Sequence, residues 1–294
     1  MNHLHPSAAE HLNLSNHDRI LKIKQDRWIG YTRATDILQK LEDLLEHPKI
    51  LRMPNLLIVG DTNNGKTVLA NRFFSQHRPY MRDSDKCYIA PVVYTQAPPK
   101  PDEKRFYNNL LDNLYIPYKV SDRVEHKLQQ LIVVLRNAET RMLVIDEIHH
   151  ILAGNMAAQK TFLNVIKYLA NELQLVIVGV GIKDAFMAIN TDAQLANRFE
   201  PVVLPKWRMN DDYLRLLASI EYLTPLKKPS NLPSDALARL ILAHSEGTIG
   251  EIATVINKAA IQAILSGEER ITAGVLDKID YIPPSKRKKQ FDAF

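Results

Sequence analysis

The chain has 294 residues, 46% of them apolar, which suits one large domain or two ordinary ones. Its formal charge of +5, from 38 basic and 33 acidic residues, is a mild excess that is compatible with nucleic acid but does not demand it. The single cysteine, Cys87, excludes an intramolecular disulfide and a cysteine-rich zinc site and fits a reducing, cytoplasmic setting. It precedes a strand-like run and reads as a buried small hydrophobe. No apolar stretch approaches the length of a membrane span. The first residues, Met1-Asn2-His3-Leu4-His5-Pro6, lack the charged-then-apolar pattern of a signal peptide.

Residues 1–25 show little periodicity and read as a mobile arm or short helices. Asp26-Arg27-Trp28-Ile29-Gly30-Tyr31 then leads into a helix striped by Ile37, Leu38, Leu41, Leu44 and Leu45, and ended by Pro48. Leu56-Leu57-Ile58-Val59 reads as a buried strand. Gly60-Asp61-Thr62-Asn63-Asn64-Gly65-Lys66-Thr67 follows it and fits G-x-x-x-x-G-K-[ST] at every fixed position. A helix starting near Lys66 and running over Val68–Phe74 comes next. Strand before and helix after are the context that such a phosphate loop needs. Gly60 and Gly65 let backbone N–H groups turn toward phosphate oxygens, and the helix start adds its positive dipole end. Lys66 suits the β- and γ-phosphates of ATP, and the Thr67 hydroxyl suits Mg²⁺. Upstream, Trp28 and Ile29 either wall an adenine pocket or belong to the core.

Ile89–Thr95 predicts a second strand, and Pro98-Pro99-Lys100-Pro101 a stiff loop. Two helices follow, with Phe106, Leu110, Leu111 and Leu114 inward on one and Val124, Leu128, Leu131, Ile132 and Leu135 on the other. Lys100, Lys104, Arg105 and Lys119 around their ends form either a solvated face or a nucleic-acid patch. Arg141-Met142-Leu143-Val144-Ile145-Asp146-Glu147 is a buried strand ending in two carboxylates. Adjacent acids are costly there unless a metal ion and a water use them. Asp146 suits Mg²⁺, and Glu147 suits the general base on an attacking water. His149 and His150 lack partners for a metal site and read as helix or loop residues beside it. Leu175–Gly181 is a further buried strand, and Gln194–Glu200 precedes a last one at Pro201–Pro205. Alternating buried strands and helices imply a parallel sheet covered on both faces, with ligands at the strands' carboxyl ends. After Pro205 only helical stripes remain, to about Tyr281. The expected organisation is an arm (1–25), an α/β nucleotide-binding domain (26–205), a small helical lid (206–281) and a basic tail (282–294) without fixed structure.

The phosphate loop, the apolar-Asp-Glu strand, the Arg198-Phe199 pair before the last strand and the helical lid together resemble an AAA+ P-loop ATPase. Asp26–Tyr31, Arg52-Met53-Pro54-Asn55-Leu56-Leu57 and the short lid narrow the resemblance to the TniB family, transposition regulators related to TnsC. The resemblance implies an ATPase that assembles as a ring or filament on duplex DNA. It also implies partners in a DDE transposase and a TniQ-type targeting protein. Arg198 is similar to an arginine finger that completes a neighbouring subunit's site, with local pairing to Glu200 or another acid as its alternative. Lys104 and Lys119 fall where relatives touch the DNA backbone. Gly250, in the Glu246–Gly250 segment of the lid, falls in a nucleotide-facing motif.

Two features depart from that pattern. Gly179-Val180-Gly181 stands where many AAA+ proteins carry a polar sensor, and Glu251 stands where an arginine is often found. Loss of both sensors implies intact nucleotide binding and slow hydrolysis, as in a switch. The competing readings are a replication initiator or helicase loader of the same superfamily, and a nucleotide-switch signalling ATPase without DNA.

Overall fold

The strands are β1 (Asn55–Gly60), β2 (Tyr80–Met81), β3 (Tyr88–Ile89), β4 (Val92–Gln96), β5 (Met142–Asp146), β6 (Val176–Gly181) and β7 (Phe199–Leu204) in a computed structural model that describes residues 3–291, without the side chains of 288–291. The chain divides into two compact units. One comprises residues 36–61 and 66–204, and the other residues 1–35, 62–65 and 205–294.

The first unit is built on a five-stranded sheet in the order β4-β5-β6-β1-β7, with every neighbouring pair parallel. Every residue of β1, β5 and β6 is buried, which explains their continuous Leu, Ile and Val content. β7 lies at the edge and mixes buried with exposed positions. Helices Glu103–Asn113, Val124–Asn137, Met156–Leu173 and Asp184–Asn190 add to the core. Leu57, Leu143, Ile145, Phe106, Leu110, Leu131, Phe162 and Ile166 are among its members. Asp102 and Asn155 cap two of these helices through their side chains. The sequence expectation of one strand over Ile89–Thr95 is corrected: Pro91 separates β3 from β4. β3 pairs instead with β2 in a small antiparallel hairpin, whose turn contains Cys87. Cys87 is therefore exposed, not buried; its N–H donates to Asp85 Oδ1 at 3.1 Å.

The second unit is helical. Asp211–Leu223, Asp235–Ser245 and Ile249–Leu265 close around Tyr213, Leu217, Ile241, Ile256 and Ala260. The amino-terminal segment belongs here and is no mobile arm. It forms the helices Pro6–Glu10 and Asn16–Lys24, and Ile23 enters the core. Arg19 is fully buried, and its guanidinium donates to Glu269 at 2.8 and 2.6 Å and to the Pro225 carbonyl at 2.8 Å. The tail also departs from expectation, because Pro284–Phe291 is a helix. Residues 292–294 lie outside the described residues. No helix among the described residues is long and apolar enough to cross a membrane.

Candidate functional site

β1 and β5 end beside β6, one leading into the phosphate loop and the other ending at Asp146. In the sheet unit the Thr67 hydroxyl donates to Asp146 Oδ2 at 2.8 Å, so residues from two motifs meet. The Tyr94 hydroxyl reaches the same oxygen at 2.7 Å. Lys66 Nζ donates to the Asp61 carbonyl at 2.7 Å. Burial lowers the Lys66 pKa, while Glu147, Asp146 and Asp61 work to keep the ammonium charged. Burial also raises Tyr94, with the Asp146 hydrogen bond and charge adding to it, so its phenol remains a donor. Glu147 adopts a left-handed conformation at φ 52°, and its N–H donates to Asp146 Oδ1 at 2.8 Å. That backbone turns the Glu147 side chain away from the strand's pleat.

His149 Nδ1 lies 3.3 Å from Glu147 Oε2. Burial pushes the His149 imidazole below its ordinary value, against the opposing pull of Glu147. Donor atoms of Glu147, His149 and His150 all lie within 4.8 Å of one another, so these side chains are closer to a ligand set than the sequence suggested. Side chains have little room at Gly179 and Gly181 of β6. A Cβ on Gly181 would fall 2.9 Å from the Ala185 Cβ and 3.2 Å from His149 Nδ1. One on Gly179 would meet Leu57 and Ile148 at 2.8 and 3.0 Å.

Thr62–Gly65, the tip of the loop, groups with the helical unit. Asn63 and Gly65 take positive φ values of 59° and 80°. Gly250 N–H donates to the Asn63 carbonyl at 3.0 Å, and Ile249 N–H to Asn64 Oδ1 at 3.4 Å. Gly250 thus offers its N–H to the loop's own backbone, and a Cβ there would strike Asn63 Oδ1 at 1.9 Å. Ile29 packs against the helical core with Tyr31 and Trp207, and Trp28 is half-buried.

Arg198 stands at the amino end of β7, where its carbonyl accepts from the Asn55 N–H at 2.9 Å. β1 runs from Asn55 to Gly60, so about 17 Å of strand separates Arg198 from its own phosphate loop. Its guanidinium donates to Asn171 Oδ1 at 2.7 Å, while Glu200 pairs with Lys40 instead. Arg198 shares a cavity of about 450 Å³ with Arg52, His47 and Asn197. Lys104 is half-buried in the first turn of its helix and Lys119 is exposed. They flank Lys127, which is fully buried, lies 4.0 Å from the Tyr118 ring centroid and donates to the Lys119 carbonyl at 2.8 Å. Burial depresses Lys127, with Asp122 and Asp112 pulling the other way and the charge of Lys104 adding to the depression.

Tyr94 did not stand out in the sequence. Tyr94 became visible only through the pairing of β4 with β5, which sets Gln96 opposite Asp146.

Residues 19–209 match the sequence model of the family described as Bacterial TniB protein. The chain belongs to the TniB family. The TniB match spans the whole phosphate loop, Asp146, Glu147 and Arg198, and stops short of Gly250. The fold is that of AAA+ P-loop ATPases. The ORC2 protein of Aeropyrum pernix is similar at TM-score 0.63 and 13% identity, over 91% of this chain and 73% of that one. ORC1 of the same organism, in complex with DNA, is similar at TM-score 0.57 and 16% identity, over 92% and 69%. In sequence, 189 residues are 28% identical to the ATP-binding subunit ClpL of the Clp protease from Lactococcus lactis subsp. lactis, covering 63% of this chain. The chain spans 23% of that protein's length.

Proposed function

We propose that this TniB-family chain is an ATP-dependent regulator of transposition that assembles on duplex DNA and uses slow ATP hydrolysis as its switch. The observation that carries the nucleotide reading is the contact of Thr67 with Asp146 beside Lys66 and Glu147. A hydroxyl and a carboxylate joined by one hydrogen bond are hard oxygen donors that suit Mg²⁺. Thr67 and Asp146 would hold it, and the bound ion would draw charge from the phosphate oxygens. Lys66 neutralises the β- and γ-phosphates. Glu147 accepts the proton of the attacking water, with His149 Nδ1 3.3 Å from its carboxylate. Arg198 serves a second copy, because its own loop is a strand length away. Lys104 and Lys119 contact DNA phosphates, so binding is nearly independent of sequence. The transposition role, with a DDE transposase and a TniQ-type protein as partners, is supported by family membership. The DNA role is further supported by the DNA complex of the A. pernix ORC1 neighbour.

The test combines nucleotide binding, turnover and a duplex mobility shift. The parent is expected to shift duplex DNA only with ATP. Lys66→Ala loses ATP binding, and Glu147→Gln binds ATP but loses about 10²–10⁴-fold in turnover. Unchanged hydrolysis in Glu147→Gln removes that residue from its role. A duplex shift indifferent to ATP overturns the switch.

A further inference from the structure

The tail helix Pro284–Phe291 does not hang free. Ser285 N–H donates to Glu246 Oε1 at 3.0 Å, which fastens the helix start. One turn on, the Arg287 fork meets Glu251, with Nη1 to Oε1 at 2.9 Å and Nη2 to Oε2 at 2.7 Å. Tyr281 adds its hydroxyl to Glu251 Oε2 at 2.6 Å. Glu251 is buried, with 8% of its side chain exposed. Its remaining bond is to Asn63 in the phosphate loop, whose Nδ2 donates to Oε1 at 3.0 Å. Asn63 is held in the left-handed region at φ 59°, its carbonyl accepting from Gly250. A carboxylate thus fixes the tip of a loop built to cradle phosphate. Left alone, its charge would repel the anion that the loop binds. The fork-on-fork guanidinium cancels it.

We infer that Arg287 is a positioning residue for nucleotide binding, neutralising Glu251 so that this carboxylate can hold Asn63 without opposing the phosphates. The inference rests on the nucleotide reading above. Arg287 supports the loop's side chain from one end and removes a like charge at the other. Glu251 is kept below the usual carboxylate range by Arg287, with Tyr281 and Asn63 helping against burial. Removing Arg287 therefore leaves an ionised group beside the loop.

The experiment titrates the full-length chain with a fluorescent ATP analogue, after thermal melting confirms that each variant is folded. Arg287→Ala is expected to weaken binding about tenfold. Glu251→Gln with Arg287→Ala is expected to return within about threefold of the parent, which a purely structural role for Arg287 would not produce. Glu251→Gln alone is expected to bind no more weakly than the parent, since the amide still accepts from Asn63. Arg287→Lys should fall between the parent and Arg287→Ala, keeping charge without the fork. Binding by Arg287→Ala equal to the parent overturns the inference, as does a double variant as weak as the single one. A parent that binds no ATP overturns the nucleotide reading and this inference with it. A parent that binds, beside an indifferent Arg287→Ala, overturns this inference alone.

Discussion

Glu147 and His149 lie side by side, with His149 Nδ1 3.3 Å from Glu147 Oε2. The His149 imidazole is neutral near pH 7 because burial outweighs the attraction of Glu147. This has a consequence for stability. As pH falls through 6.5, the ordinary value of an imidazole, the unfolded chain takes up a proton that the folded chain refuses. Stability contributed by the neutral ring is therefore present above that value, falls as pH drops below it, and levels once the folded group titrates. Thermal melting between about pH 8 and about pH 5 should show a smaller decline for His149→Gln than for the parent. Parallel declines in the two proteins would show that His149 is not the group responsible. The carboxyl-end motifs were legible in the sequence because their chemistry is local: fixed spacing around Lys66, and two acids closing an apolar run. Tyr94 was not, because its role depends on which strand lies beside β5.

At the scale of elements, the amino-terminal helix Asn16–Lys24 is tied down by a residue whose partner lies far along the chain. Arg19 and Glu269 are 250 residues apart in sequence. No periodicity within 1–25 could reveal that a charged residue there is completely buried. Arg19→Ala should destabilise the helical unit by about 3 kcal/mol, since Glu269 would keep only Lys227, through its N–H at 3.2 Å and its ammonium at 3.6 Å. Urea denaturation followed by circular dichroism measures this, and a change under about 0.5 kcal/mol would make the pair a surface detail. The tail was misread for a similar reason: its basic composition resembles an unstructured segment, but Glu246 and Glu251 give it a place to dock. Strands fared better. β1, β5 and β6 each carry a continuous apolar run, whereas Pro91 splits a stretch of β-forming residues into β3 and β4.

For the whole molecule, the proposed assembly makes the nucleotide site composite. Arg198→Ala should bind ATP near-normally, fail to assemble on DNA and lose most hydrolysis. Mixed with Lys66→Ala protein it should regain some hydrolysis, because each chain supplies the half that the other lacks. Absence of any recovery, with both variants folded, would argue against sharing of the site between copies. On the DNA side, Lys104→Ala and Lys119→Ala should each weaken duplex binding and reduce the salt slope by about one. Unchanged slopes in both variants would place the DNA surface elsewhere. The position of β1 adds a mechanical consequence. The strand is clamped along both edges by β6 and β7 and buried at every residue. Its first N–H holds the Arg198 carbonyl, and its last residue opens the phosphate loop. In the proposed assembly it would be a strut with one foot at each half-site. A tug on Arg198 from a neighbour's nucleotide would then reach the chain's own loop along this one strand. A row of such chains would transmit tension from site to site as a stretched chain of stiff links does.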